Sequence, residues 1–149
     1  MIQKRSRRTA APAKALGKPD YERLAHFRYQ LRRFLRFSED VTREHGITML
    51  QYVLLLQIRG YPGRDWATVG ELAERLQAQH HGVVSLVSRC EGLGLVRRRP
   101  SAEDKRRVEV SLTRKGEQCL ATLAGLHRRE LIAMRGDAAL PGLAMLIGE

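Results

Sequence analysis

Two helix starts lie twenty residues apart in this chain, at Thr48-Met49-Leu50-Gln51 and Thr68-Val69-Gly70-Glu71. Both have the capping-box form, in which a threonine hydroxyl and a Gln or Glu three residues on satisfy each other's free backbone amides. Starts that close leave room only for short helices. The first runs through LQYVLLLQI, with Ile47 and Tyr52 placed as a hydrophobic staple across its box. It is apolar nearly all round, which predicts a buried central helix. Gly60-Tyr61-Pro62-Gly63 reads as a turn, and the second box opens the short helix ELAERL.

After Leu76 come Gln77-Ala78-Gln79, and then Val83, Leu86, Val87 and Cys90 at helical spacing, closed by Gly92 and Gly94. Two short helices joined in this way make a helix-turn-helix. The second presents Gln79, His80, His81, Ser85, Ser88 and Arg89 on its polar face. Amides, imidazoles and hydroxyls suit the base edges of a major groove, where an ordinary solvated face would carry Glu and Lys. Leu95 to Arg99 and Val108 to Leu112 then alternate with period two, as paired strands do. The seven or eight residues between them make a projecting tip. Helix-turn-helix followed by a hairpin is a winged helix, and the fold class is mainly α with a small β-hairpin wing.

Helices flank this unit. From Asp20 to His45-Gly46, Leu24, Phe27, Leu31, Phe34, Leu35 and Ser38 share one face, with Arg28, Arg32, Arg33 and Arg36 largely off it. Thr113 caps a last helix through about Met134, with a seam of Leu120, Leu123, Ala124, His127, Leu131 and Met134. The ending AALPGLAMLIGE is apolar and short, which suggests burial in a partner subunit. Residues 1–18 read as a disordered basic arm and residues 19–149 as one domain, a length that can hold a real core.

The net charge of +11 is clustered. Six Lys or Arg and no acid precede residue 19, and six more lie between Arg97 and Arg107. Such a balance attracts polyanions. No apolar run approaches the roughly 20 residues that cross a bilayer, and a membrane surface would want a basic helix with a greasy face. Two cysteines, each in a helix-like segment, make a disulfide framework improbable and a reducing cytoplasm the expected location. His26, His45, His80, His81, His127, Cys90 and Cys119 are ligand types, but no C-x-x-C or H-x-x-x-H spacing joins them, so no metal or cofactor is expected. Glycine-rich phosphate loops, a G-x-S-x-G motif and isolated carboxylate pairs are all missing, so an enzyme is not expected.

The stretch Asp104-Lys105-Arg106-Arg107-Val108-Glu109-Val110-Ser111-Leu112-Thr113-Arg114-Lys115-Gly116 resembles the wing pattern of the MarR family of bacterial transcription regulators. Val69 to Leu76 is similar to the first helix of that family's reading motif, and Leu86 to Val96 to the end of its recognition helix. The likeness runs from residue 20 to about 135. It implies a dimer whose first and last helices (about 19–45 and 113–149) interlock, with winged helices (about 48–112) docked on a palindrome. It also implies a repressor released by a small, often phenolic or anionic, molecule. Thr68, Gly82, Arg97, Arg99, Lys105, Arg106 and Arg107 then join the α-helical polar face as DNA-binding candidates. The arginine matching Arg106 would enter the minor groove. The acid matching Asp104 would steady the wing through a basic partner, Arg89 or a wing arginine; it could instead be a solvated acid that tempers repulsion. Gln79 departs from the Ser or Thr cap common in the family.

Some positions admit more than one role. Gly82 inside a helix loses on the order of 1 kcal/mol relative to alanine, which close approach to DNA or plain tolerance would explain. Cys90 and Cys119 read as small core hydrophobes rather than redox sensors. Phe27, Tyr29, Arg33, Tyr52 and His127 could line an effector pocket for an aromatic carboxylate, or could be an ordinary packed interface with a hydrogen-bonded histidine. A nonspecific packaging protein needs only phosphate contacts, and the polar face from Gln79 to Arg89 argues for sequence reading instead.

Overall fold

The computed structural model describes residues 14–134. Both threonine caps form. The Gln51 amide donates to Thr48 Oγ1 at 3.1 Å and the Thr48 amide to Gln51 Oε1 at 2.9 Å, opening α2 (Met49–Arg59). The Glu71 amide donates to Thr68 Oγ1 at 3.3 Å and the Thr68 amide to Glu71 Oε2 at 2.8 Å, opening α3 (Val69–Leu76). Gln77 adopts a left-handed conformation (φ 50°) that ends α3 and turns the chain into α4 (His80–Gly92). This is the helix-turn-helix expected from the sequence.

The sheet is larger than the sequence indicates. β2 (Val96–Pro100) and β3 (Val108–Leu112) pair antiparallel, with Val96 opposite Leu112 and Pro100 opposite Val108. A third strand, β1 (Trp66–Thr68), pairs with the other side of β3. Three residues are too few to show an alternation, so β1 has no signature of its own. Its position is held by a clasp at the α2–β1 turn. The Arg64 guanidinium lies 4.3 Å from the Tyr61 ring centroid and 3.9 Å from that of Trp66, and pairs with the Glu71 carboxylate that closes the α3 cap.

The flanking helices are α1 (Lys18–Glu44) and α5 (Arg114–Met134). Residues 1–13 of the expected arm lie outside the described residues, as does the apolar ending 138–149, and α1 already takes Lys18 as its first residue. The inward line of α1 differs from the expected one. Gln30, Ser38, Val41 and Thr42 are buried, Phe27, Leu31, Phe34 and Phe37 are half-buried, and Leu24 and Leu35 are exposed. The reason is that α1 meets α2 and α5 around a polar centre, His127, rather than a wholly apolar seam. Leu54, Leu55 and Ile58 of α2 are fully buried, but Leu50 and Leu56 face out, so α2 is central without being enclosed. One core joins Val41, Leu54, Leu72, Val87, Val110 and Leu123, from five helices and the sheet.

The turn between α4 and β2 is where the winged helix meets α5. Gly94, at φ +72°, takes a conformation that favours glycine. Its carbonyl accepts the Thr113 hydroxyl at 2.5 Å, the Leu95 carbonyl accepts the Thr113 amide at 3.0 Å, and Lys115 Nζ reaches the Leu93 carbonyl at 2.9 Å. The first turn of α5 lies so close that a Cβ at Gly116 would fall 2.0 Å from the Leu95 carbonyl oxygen. Backbone cannot yield that much, so Gly116→Ala is expected to destabilise the protein by at least about 2 kcal/mol, read as a lowered urea midpoint with an unchanged slope.

Candidate nucleic-acid interface

One face of the molecule gathers the polar side of α4 and the wing. Helical phase puts His81, Ser85 and Ser88 in one row, opposite the buried Val83, Leu86, Val87 and Cys90. Gln79, His80, His81, Gly82, Ser85, Ser88 and Arg89 are all exposed. Gln79 occupies the N-cap position and makes no side-chain capping bond, so its amide is free. A Cβ at Gly82 would meet nothing within 4 Å; packing within the chain does not require glycine there.

A cleft of about 540 Å³ separates the start of α3, the first turns of α4 and the wing. Thr68, His80, Arg106 and Arg107 line it together with Arg98 and Val84. Thr68 is half-buried and its oxygen serves the α3 cap, so its structural task comes first. Arg97, Arg99, Lys105, Arg106 and Arg107 are exposed, and none of them makes an ion pair among the described residues. Arginines elsewhere do pair, as Arg43 does with Asp40 and Arg59 with Asp65.

The tip is held by backbone bonds. Ser101 is buried; its amide donates to the Arg107 carbonyl at 2.9 Å, and its hydroxyl oxygen accepts the Glu103 and Asp104 amides at 3.3 Å each. The Asp104 carboxylate accepts the Arg106 amide at 3.0 Å. No basic side chain stands within ion-pair distance of Asp104 among the described residues, so the expected pairing with Arg89 or a wing arginine does not form. An aspartate two residues before an amide closes a local turn more readily than it reaches across to another element. Asp104 instead closes a local turn at the tip.

Sequence reasoning missed Arg98. It is half-buried between two exposed arginines, and its guanidinium Nη2 donates to Ser88 Oγ. The period-two pattern could have singled it out, because it must point to the face opposite Arg97 and Arg99.

The five effector-pocket candidates are not brought together. Tyr52 and His127 are buried and stacked, with ring centroids 4.2 Å apart and planes 12° from parallel. A carbonyl only accepts, so His127 Nδ1 donates to the Leu123 oxygen at 2.7 Å, and Nε2 lies 2.8 Å from the Ser38 hydroxyl oxygen. Both nitrogens are engaged within the protein, as for a packed histidine. Burial pushes the Tyr52 phenol above its ordinary value. Tyr29 and Arg33 instead lie on the outer side of α1, where they line a groove of about 840 Å³ with Arg28, Arg32 and Arg36. Phe27 is half-buried and belongs to neither set.

A MarR family model matches residues 45–107 of this chain. A putative transcriptional regulatory protein for the hcr operon of Thauera aromatica is 31% identical over 110 residues, covering 74% of this chain and 61% of that protein. The chain spans between about half and three-fifths of the curated relatives it matches. AbsC, a MarR family transcriptional regulator from Streptomyces coelicolor, shares the fold with TM-score 0.69 at 22% identity, over 81% of this chain and 84% of that one. A cysteine-to-serine mutant of Escherichia coli MarR, solved with operator DNA, aligns with TM-score 0.59 at 28% identity, over 70% of this chain and 71% of that one. The chain is a winged-helix protein, with helices before and after the reading unit. Residues 45–107 carry the MarR family's pattern.

Two outcomes follow from the wing and the thiols. Asparagine can accept the same amide, so Asp104→Asn should leave hydrogen exchange at Arg106 unchanged by NMR, whereas Asp104→Ala should speed it roughly fivefold for a bond worth about 1 kcal/mol. Burial, with a smaller contribution from Cys119, pushes the Cys90 thiol up from 9.0 to about 11. The folded state therefore favours the protonated thiol. That contribution is complete below pH 9.0, the unfolded value, and is lost as pH rises toward about 11. The stability gap between the wild type and Cys90→Ala, measured by urea denaturation, should be flat below that window and narrow across it.

Proposed function

We propose that this chain is a DNA-binding transcriptional regulator that reads a palindromic operator as a homodimer. The observation that carries the reading is the juxtaposition of two surfaces with different tasks. The wing offers unpaired arginines and lysine to phosphates and a minor groove, while α4 offers Gln79, His81, Ser85 and Arg89 to base edges. Phosphate contacts alone give affinity without sequence information, so an exposed amide, imidazole and hydroxyl row on a helix favours reading over packaging. The likeness to MarR solved with operator DNA supports it.

The division of labour proposed is a reading part at about 48–112 and dimerisation helices at about 19–45 and 113–149. Tyr21, Leu24 and Leu35 on α1 and Leu131 and Ile132 on α5 are exposed large apolar side chains, as an interlocking second copy would need. The regulator is proposed to repress, and to release DNA when a small anionic or aromatic molecule binds. The groove with Tyr29 and Arg33 offers an aromatic ring beside guanidinium groups, a chemistry that suits such a ligand.

The test is fluorescence anisotropy on a duplex selected by the protein from a random library, against a scrambled duplex, across a salt series. The selected duplex should be palindromic, with half-sites about 10 base pairs apart, and favoured by more than roughly 10³. Arg106→Ala should weaken both duplexes alike and reduce the salt slope by about one, while His81→Ala should weaken only the selected duplex, by about 1–3 kcal/mol. Equal binding to both duplexes by the wild type would leave a packaging protein as the better account.

A further inference from the structure

We infer that Arg98 is a positioning residue, a strut that fixes the wing against the reading helix and so sets how far the wing tip stands from the bases α4 reads. The inference rests on the DNA-reading function proposed above. β2 is an edge strand, and the Arg98 amide points off that edge to donate to Glu91 Oε2 at 3.1 Å. The Arg98 side chain crosses the same gap and donates to Ser88 Oγ. One wing residue is thus tied by backbone and side chain to two α4 residues three apart, which lie on one stretch of helix surface.

The same geometry takes Ser88 out of the reading set. A serine hydroxyl has one hydrogen, and that of Ser88 goes to the Val84 carbonyl at 3.0 Å. The oxygen then accepts from Arg98, so the hydroxyl is engaged on both sides within the protein. Ser88 sits on the polar face for the sake of the strut, whereas His81 and Ser85 in its row make no side-chain bond among the described residues.

Stability does not account for Arg98. Its Nε is shut off from solvent without an acceptor, the one such side-chain atom among the described residues. A buried donor left unpaired works against the folded state, and a sixth positive charge on the wing adds repulsion. An unbranched apolar chain would fill the space with a smaller penalty to the fold. What it could not do is hold the wing at a fixed angle. Without the strut, the tip would have to be ordered at the moment of binding, and contacts that depend on register would weaken most.

Arg98→Met and Ser88→Ala each remove the strut from one end. Two readouts decide. The first is the backbone {1H}-15N NOE at Ala102 and Glu103 in the free protein, which should fall in both variants. The second is anisotropy on the selected and scrambled duplexes. Preference for the selected duplex should drop about tenfold or more in either variant, with an unchanged salt slope, and the double variant should lose little further because both changes break one contact. A salt slope lowered by about one in Arg98→Met, with equal weakening on both duplexes, would make Arg98 a phosphate contact and overturn the strut. A loss in Ser88→Ala confined to one base position would make Ser88 a reader and overturn it as well. Unchanged wing dynamics in both variants would also refute it. If the wild type prefers no duplex, the DNA-reading function fails, and the NOE comparison alone then decides whether the strut exists.

Discussion

Three consecutive carbonyls, those of Leu93, Gly94 and Leu95, hold this protein's two halves together. They receive the Lys115 ammonium, the Thr113 hydroxyl and the Thr113 amide in turn. On one side of them lie the end of α4 and the start of the wing. On the other side α5 begins, its cap closed by the Gly116 amide on Thr113 Oγ1 at 3.0 Å. Because Gly116 sits against the Leu95 backbone with no room for a methyl group, the joint is a direct backbone contact. Side-chain packing can relax by rotamer changes, but a backbone contact of this kind cannot. A movement of α5 would therefore be passed to α4 and β2 with little slack.

The charge distribution depends on that rigidity. Acids are placed beside arginines on α1 and at the α2–β1 turn, where Asp40, Asp65 and Glu71 each hold a basic partner. Around the wing two acids bond to backbone instead: Asp104 to the Arg106 amide and Glu91 to the Arg98 amide. Arg97, Arg99, Lys105, Arg106 and Arg107 are left to solvent. Exposed charges of one sign within a Debye length of each other, about 8 Å at physiological salt, repel unless a polyanion lies among them. Self-repulsion on the wing is tolerable because the tip is fixed by Ser101 and Asp104 through backbone bonds, which salt screens little.

The sequence by itself determined the elements that rest on local chemistry. Both capping boxes, the close at Gly92 and Gly94 and the helical spacing of Val83, Leu86, Val87 and Cys90 are short-range patterns, and each forms in place. The alternation on either side of the wing gave its strands to within a residue, Leu95 to Arg99 expected and Val96–Pro100 found. The exposed polar face of α4 was legible for the same reason: polar residues opposite an apolar stripe have only one side to occupy.

Tertiary structure decided whatever depended on a partner distant in sequence. β1 exists because β3 offers it an edge, and the Arg64 clasp, with Tyr61, Trp66 and Glu71, holds the turn beside it. The inward face of α1 kept Ser38 as expected but also took in Gln30 and Phe37, and the Ser38 hydroxyl meets His127, 89 residues further on. His127 and Tyr52, both expected inside, stack on each other there, while Tyr29 and Arg33 lie on the far side of α1. Asp104 chose a near amide over a distant guanidinium, and Ser88 was claimed by Arg98 from another element. A side chain's periodicity says which way it faces, but only the assembled fold says which donor or acceptor it meets there.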